Sequence, residues 1–375
     1  MKEEKREKQK TQNVHAGIAS LNPYQPGKPI DELARDLGLK DIVKLASNEN
    51  PRGPSPKVVA ALEACAAELT RYPDGSGFIL KQALAQHLGV NANQLTLGNG
   101  SNDVLDLIAR VTLETGYEAV VAEHCFVVYP IATRCAGAEL VVVPASEYGH
   151  NLNAMLEAVT ERTRTVFIAN PNNPTGTWVS RDALVQFLDK VPKEVWVVLD
   201  EAYLEYVAEP DFPNGLTLLD QYPNLIVTRT FSKAYGLASL RVGYGISSPE
   251  VADLLNRARQ PFNCSSFALA GATAALADQE YVRQSVAMNH ECMAQMTTGI
   301  EALNLDYIPS VGNFVTLDCG RPSPGVFEAL LTKGVITRPV VEYGLPNHLR
   351  VTLGTGEENA RFLTALSEVL VEVLD

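Results

Sequence analysis

The chain has 375 residues, 46% of them hydrophobic and 20% charged, a globular composition in a chain too long for one small core, so two domains are expected. A formal net charge of −13 argues against a nucleic-acid partner and against a polybasic membrane-binding surface. No apolar run approaches the ~20 residues of a membrane span.

The first residues, MKEEKREKQKTQN, lack the apolar core of a signal peptide and read as a disordered tail over residues 1–20. Residues 21–28, LNPYQPGK, form a Pro/Gly-rich arm whose only aromatic is Tyr24, and a short helix is predicted over 30–39. The stretch 46–54, ASNENPRGP, is loop chemistry dense in Asn, Pro and Gly. Helices are predicted over 56–69 and 78–88, separated by RYPDGSG, and Gly89 suits the residue that ends the second.

A short strand then leads through Gly98-Asn99-Gly100 into a helix starting near Ser101. Ser101 and Asn102 are good N-cap types and Asp103 suits the first turn. The free N–H groups of such a start face outward, where a phosphate could sit. The motif is neither a dinucleotide fingerprint, since the third glycine is missing, nor a P-loop, since no G-K-[ST] follows.

Apolar runs follow at 119–122, 140–143, 165–169, 195–199, 225–227 and 242–246, alternating with helical or turn segments. Several are Val/Ile-rich without polar alternation, as in strands covered on both faces. The pattern predicts an α/β fold with a mostly parallel, doubly wound sheet, whose ligands lie at the carboxyl ends of the strands. Chemistry-bearing residues follow those ends: Phe126 after the first run, Asn173 in NPNNPTG, Asp200 and Tyr203 in DEAY, and Ser232, Lys233 and Arg241 in TFSKAYGLASLR. A helix from Pro249 to about Ala258 and a helical stretch to about 303 lead into a second, smaller α+β domain. Its predicted elements are strands over 314–318, 335–339 and 349–353, a helix over 326–333, and a last helix opened by the capping-box pattern Thr355-x-x-Glu358. The expected division is an arm over 21–45, a large domain over 46–265 and a small domain over 266–375.

An aldehyde cofactor carrying a phosphate and a pyridine ring needs a lysine amine, a carboxylate facing the ring nitrogen, donors to its phenolic oxygen, a stacking aromatic and a phosphate cup. Lys233, Asp200, Tyr203 with Asn173, Phe126, and Ser101–Asn102 with Ser232 and Arg241 could supply these in that order. The six cysteines are scattered without a C-x-x-C pair, as expected of reduced thiols in a cytosolic protein, and the six dispersed histidines show no H-E-x-x-H spacing, which argues against metal catalysis.

The segments PYQPGK, ASNENPRGPSP, RYPDGSG, LGNGSND, NPNNPTG, VVLDEAY, FSKAYGLASLRVGY, ITRPV and LRVTLGT occur in the order found in pyridoxal-phosphate aminotransferases of fold type I. Over residues 21 to 375 the chain resembles that family, and within it the histidinol-phosphate aminotransferases most. The resemblance implies pyridoxal 5'-phosphate as cofactor, Lys233 as its Schiff-base lysine and Asp200 on the ring nitrogen. It also implies a homodimer in which Tyr72 reaches the cofactor phosphate of the neighbouring subunit. It assigns Arg350 to the anion attached at the substrate Cα, with Arg338, Tyr24 and Asn50 as further substrate contacts. The stacking position, often tyrosine in the family, is Phe126 here, which keeps a ring and loses a phenolic hydroxyl. The implied reaction is L-histidinol phosphate with 2-oxoglutarate, giving imidazole acetol phosphate and L-glutamate in histidine biosynthesis. An aromatic amino-acid aminotransferase and a decarboxylase of phosphorylated amino acids are the alternatives.

Overall fold

The computed structural model describes residues 15–23 and 27–372. Tyr24 therefore lies outside the described residues. Residues 15–20, placed by the sequence in a tail, include a helical turn, Ala16–Ala19, where Gly17 lies too close to the Arg134 carbonyl to carry a Cβ.

Seven strands build the large sheet: β2 (Leu95–Gly98), β3 (Glu118–Ala122), β4 (Glu139–Val143), β5 (Thr163–Ala169), β6 (Trp196–Asp200), β7 (Leu225–Thr230) and β8 (Gly243–Ile246). Their order is β2-β8-β7-β6-β5-β3-β4. The five strands β3 to β7 run parallel, and β8 pairs antiparallel with both β7 and β2. β3, β6 and β7 are buried along nearly their whole length, as their unbroken apolar runs require. β4 departs from that expectation: it is an edge strand, and Val142 stays 52% exposed.

The chain steps outward from β3 to β4, then returns past β3 to build β5, β6 and β7 on the other side. This reversal opens a crevice at the carboxyl ends of β3 and β5, where ligands bind in open α/β sheets.

A four-stranded antiparallel sheet of β9 (Tyr307–Ile308), β10 (Phe314–Asp318), β12 (Arg338–Pro339) and β13 (His348–Thr352) forms the second layer system, in the order β12-β13-β10-β9. The run over 335–339 is not one strand. Its first piece, β11 (Val335–Ile336), pairs in parallel with β1 (Val43–Lys44), while β12 joins β13. Val43 and Leu45 pack in the core of this smaller sheet, beneath the last helix, Gly356–Glu372. That helix carries the anticipated capping box: Thr355 N–H donates to Glu358 Oε2 at 2.7 Å, and Glu358 N–H to Thr355 Oγ1 at 3.3 Å.

Three boundaries move. The helix over 56–69 stops at Cys65 and tightens into a 3-10 turn, Ala66–Glu68. The helix over 326–333 starts earlier, at Ser323. The helix Ser266–Leu276, expected in the small domain, buries Ala268, Ala272 and Leu276 in the same apolar cluster as the large sheet. We therefore propose a domain boundary within the long helix Gln279–Ala302, which contributes Val282 to the large core and Cys292, Met296 and Ile300 to the small one.

Candidate active site

A cleft of about 230 Å³ opens between the carboxyl ends of β3, β5, β6 and β7 and the small sheet. Several times the ~30 Å³ of one water, it suits a small organic molecule. Its walls include Ser101, Asn102, Phe126, Asn173, Asp200, Tyr203, Ser232, Lys233, Arg241, Arg338 and Arg350. Tertiary structure thus brings together eleven of the fourteen residues singled out in the sequence.

Lys233 follows β7 in the turn, and its Nζ donates to the Ser47 carbonyl at 3.1 Å. Burial pulls its pKa down to about 7, helped by the positive charge of Arg350 and then Arg241, with Glu49 opposing. The larger cationic influence is Arg350, from the small sheet, rather than the sequence neighbour Arg241. Asp200 ends β6 and is 4% exposed. Burial pushes its pKa up to about 6, against hydrogen bonds from the Tyr129 hydroxyl (2.8 Å) and the Thr228 hydroxyl (2.9 Å). Tyr203 lies three residues on, with its ring centre 5.7 Å from Lys233 Nζ and its hydroxyl accepting from Asn48 Nδ2 at 3.0 Å.

Arg350, on β13, is 7% exposed. Its Nη1 donates to Asn173 Oδ1 and its Nη2 to the Ala46 carbonyl, both at 2.6 Å. The first bond fixes the Asn173 amide with Oδ1 occupied, leaving Nδ2 as its donor. Arg338, on β12, is buried, and its Nη2 meets Glu342 Oε1 at 2.6 Å.

At the other end, the helix Ser101–Thr112 opens toward the cleft. The sequence suggests Ser101 or Asn102 as its cap, but Gly100 occupies that position, with φ +85°, and Ser101 is the first helical residue. The reason is steric. A Cβ on Gly100 would collide with the Arg241 guanidinium, and one on Gly243 with the Ser101 amide. Both glycines let a cation and a helix start approach one point, and Ser232 Oγ joins them, 3.4 Å from Arg241 Nη1. This is the donor set of an anion cup.

Two predicted residues stand elsewhere. Asn50 does not line the cleft: its Nδ2 donates to the Ala234 carbonyl and Ser285 Oγ, both at 3.0 Å, behind the Lys233 segment. Asn48 takes the place facing the cleft, with φ +54°, and ties Tyr203 to Thr352 of β13. Tyr72 is 83% exposed and stacks on Phe262, with ring centres 4.9 Å apart, away from the cleft of its own chain.

Asn48, Tyr129, Thr228, Thr230 and Tyr343 were not singled out as site residues. Thr228 and Thr230 carried a signal, since with Ser232 they form an i, i+2, i+4 polar series continuing the apolar strand. Tyr129 follows Phe126 at helical spacing, whereas nothing local distinguishes Asn48 from Asn50. All six cysteines are unpaired, and among the described residues no group of three or more His, Cys, Asp or Glu could hold a metal ion.

The model of aminotransferase classes I and II matches residues 40–366. A histidinol-phosphate aminotransferase 2 from Pseudomonas fluorescens Pf0-1 is 60% identical over 356 residues, covering 94% of this chain and 96% of that protein. A namesake from Pseudomonas aeruginosa is 59% identical over the same shares. Among solved structures, the histidinol-phosphate aminotransferase of Sinorhizobium meliloti in complex with pyridoxal-5'-phosphate superposes with a TM-score of 0.88 at 31% identity, covering 96% of this chain and 98% of that one. Aspartate aminotransferase from Thermus thermophilus shares the fold, with a TM-score of 0.83 at 21% identity. The chain belongs to the class I and II aminotransferase family, within its histidinol-phosphate aminotransferase group.

Proposed function

We propose that the chain uses pyridoxal 5'-phosphate to transfer the amino group of L-histidinol phosphate to 2-oxoglutarate, giving imidazole acetol phosphate and L-glutamate. The observation that carries this reading is one cleft joining Lys233, whose amine burial brings to a pKa of about 7, to a buried Asp200 and two buried guanidiniums. The names and identities of the Pseudomonas relatives support the choice of substrate.

The residues present fit the cofactor. The anion cup at Gly100 and Gly243 accepts the phosphate through the Ser101 and Asn102 amides, Ser232 and Arg241. Phe126 supplies the stacking ring, Asp200 keeps the ring nitrogen protonated, and Tyr203 with Asn173 Nδ2 faces the phenolic oxygen. Bound there, the cofactor supplies an electron sink for negative charge at the substrate Cα.

Lys233 Nζ, once free, would be the base that takes the proton from Cα and delivers it to the cofactor carbon that carried the aldehyde, which requires the neutral amine that burial and Arg350 favour. Arg350 forks onto the anion attached at Cα of the amino acid. Arg338 is a second anion contact, and the two guanidiniums together suit a phosphate monoester while admitting the carboxylates of glutamate. The resemblance makes Tyr24 a further substrate contact, and Gly27 of the same arm lines the cleft.

The active unit is read as a homodimer. Tyr72 is exposed and stacks on the exposed Phe262, and Leu69, Phe78 and Ile79, near it in the chain, are exposed as well, apolar surface of the kind that marks a protein interface. From there Tyr72 would reach the phosphate bound in the other subunit. No helix among the described residues is long and apolar enough to cross a membrane, and the proposed location is the cytoplasm.

Steady-state rates with three donors test the function. Histidinol phosphate should exceed phenylalanine in kcat/KM, and threonine phosphate should yield no carbon dioxide. A higher phenylalanine rate would reassign the chain to aromatic amino acids, and released carbon dioxide would make it a decarboxylase.

A further inference from the structure

Asp200 is buried and its charge is unpaired by any cation among the described residues. The nearby buried cation, Arg229, is committed elsewhere: its Nε and Nη2 meet Glu201 Oε2 at 2.9 and 2.8 Å, and Nη2 also meets Asn214 Oδ1 at 2.9 Å. What Asp200 receives instead is a backbone hydrogen bond from Ala202 and one neutral hydroxyl on each oxygen. Thr228 donates to Oδ1 and Tyr129 to Oδ2. A hydroxyl donor stabilises a carboxylate without cancelling its charge, whereas an arginine or lysine would compete with a ligand's own positive N–H.

Tyr129 is fully buried and locked by packing. Its ring stacks on Phe167, with centres 4.8 Å apart and planes 10° from parallel, and meets Phe126 edge-on at 5.8 Å. It therefore touches both the ring offered for stacking and the carboxylate offered to the ring nitrogen. Its phenol pKa lies well above 10, raised by burial and then by the charge of Asp200, so the hydroxyl remains a donor.

We propose that Tyr129, assisted by Thr228, is a positioning residue that keeps Asp200 ionised, correctly turned and free of any internal cation, so that the cofactor's pyridinium is its only charge partner. This rests on the assignment of Asp200 to the ring nitrogen. Removing the Tyr129 hydroxyl takes away a hydrogen bond to a charged group while leaving the aromatic packing in place. Burial then favours the protonated carboxyl, and the cofactor nitrogen loses its counter-charge.

The test compares Tyr129→Phe, Thr228→Val and Thr228→Ser with the unaltered protein. Three quantities are read: the pH midpoint of the visible band of the lysine-bound cofactor, the Kd of the cofactor, and kcat against KM for histidinol phosphate. Thermal unfolding of each apoprotein reports on folding. Tyr129→Phe should shift the midpoint by about one pH unit and cost roughly tenfold in cofactor Kd and in kcat, with KM nearly unchanged. Thr228→Val should act the same way, and Thr228→Ser should restore the midpoint. Unmoved midpoints in Tyr129→Phe and Thr228→Val overturn the proposal, including when kcat falls together with apoprotein stability. Asp200→Asn separates the two levels. If it leaves the midpoint unmoved, the assignment of Asp200 fails; if it moves the midpoint and Tyr129→Phe does not, only the role of Tyr129 fails.

Discussion

At the scale of single residues, the chemistry depends on removing charge from water without leaving it unpaired. Lys233 shows the cost. An unfolded lysine holds its proton to about pH 10.5, while the buried one releases it near 7. Between those values the unfolded chain binds the extra proton, so this residue opposes folding at neutral pH, and its penalty shrinks as pH rises toward 10.5. Lys233→Met should accordingly raise the melting temperature of the apoprotein at pH 7, with the gap closing at high pH, while abolishing transamination. Equal melting across that range would mean the amine is solvated, and the proposed base would lose its physical ground.

Elements supply the rigidity that single residues lack. β6 and β7 carry Asp200, Thr228 and the approach to Lys233, and one buried ion pair clamps them just behind the site. Glu201 accepts from the Gly215 amide at 2.7 Å as well as from Arg229, and both partners of the pair are almost fully buried. Breaking such a pair strands a buried charge, so Arg229→Met alone should cost roughly 3 kcal/mol in urea unfolding. The double variant Glu201→Gln/Arg229→Met should recover most of that loss. Simply additive costs would show that the two side chains act through packing rather than through their charges.

For the whole molecule, the site is assembled from two sheets and, in the proposed function, from two subunits. Arg350 and Arg338 arrive from the small sheet and Asn48 from the loop after β1, so any hinge between the layers changes substrate contacts and the charge around Lys233 together. The exposed cluster around Tyr72 and Phe262 should bury itself in the dimer. Phe262→Glu should yield monomers in sedimentation at micromolar concentration, with activity falling as Tyr72 leaves the phosphate. A dimer that persists unchanged would move the interface to another face.

Much of this was legible in one dimension because of a property of parallel sheets. Their strands all end on one side, so residues following successive apolar runs converge without any long-range information. Phe126, Asn173, Asp200, Tyr203, Ser232 and Lys233 are all found that way. The capping box of the last helix was legible for the same local reason. The sequence could not show the split of 335–339 into two strands, because an apolar run does not say which sheet it joins. Nor could it separate Asn48 from Asn50: both sit in one loop, and only packing against Thr352 turns Asn48 toward Tyr203. Gly100, rather than Ser101, caps the helix Ser101–Thr112 because Arg241 approaches from 141 residues away in the chain, a contact no local propensity encodes. The chain's own order thus determined which chemical groups meet at the sheet edge. Tertiary structure decided their charge states and orientations, through burial, the guanidinium of Arg350 and the hydroxyl of Tyr129.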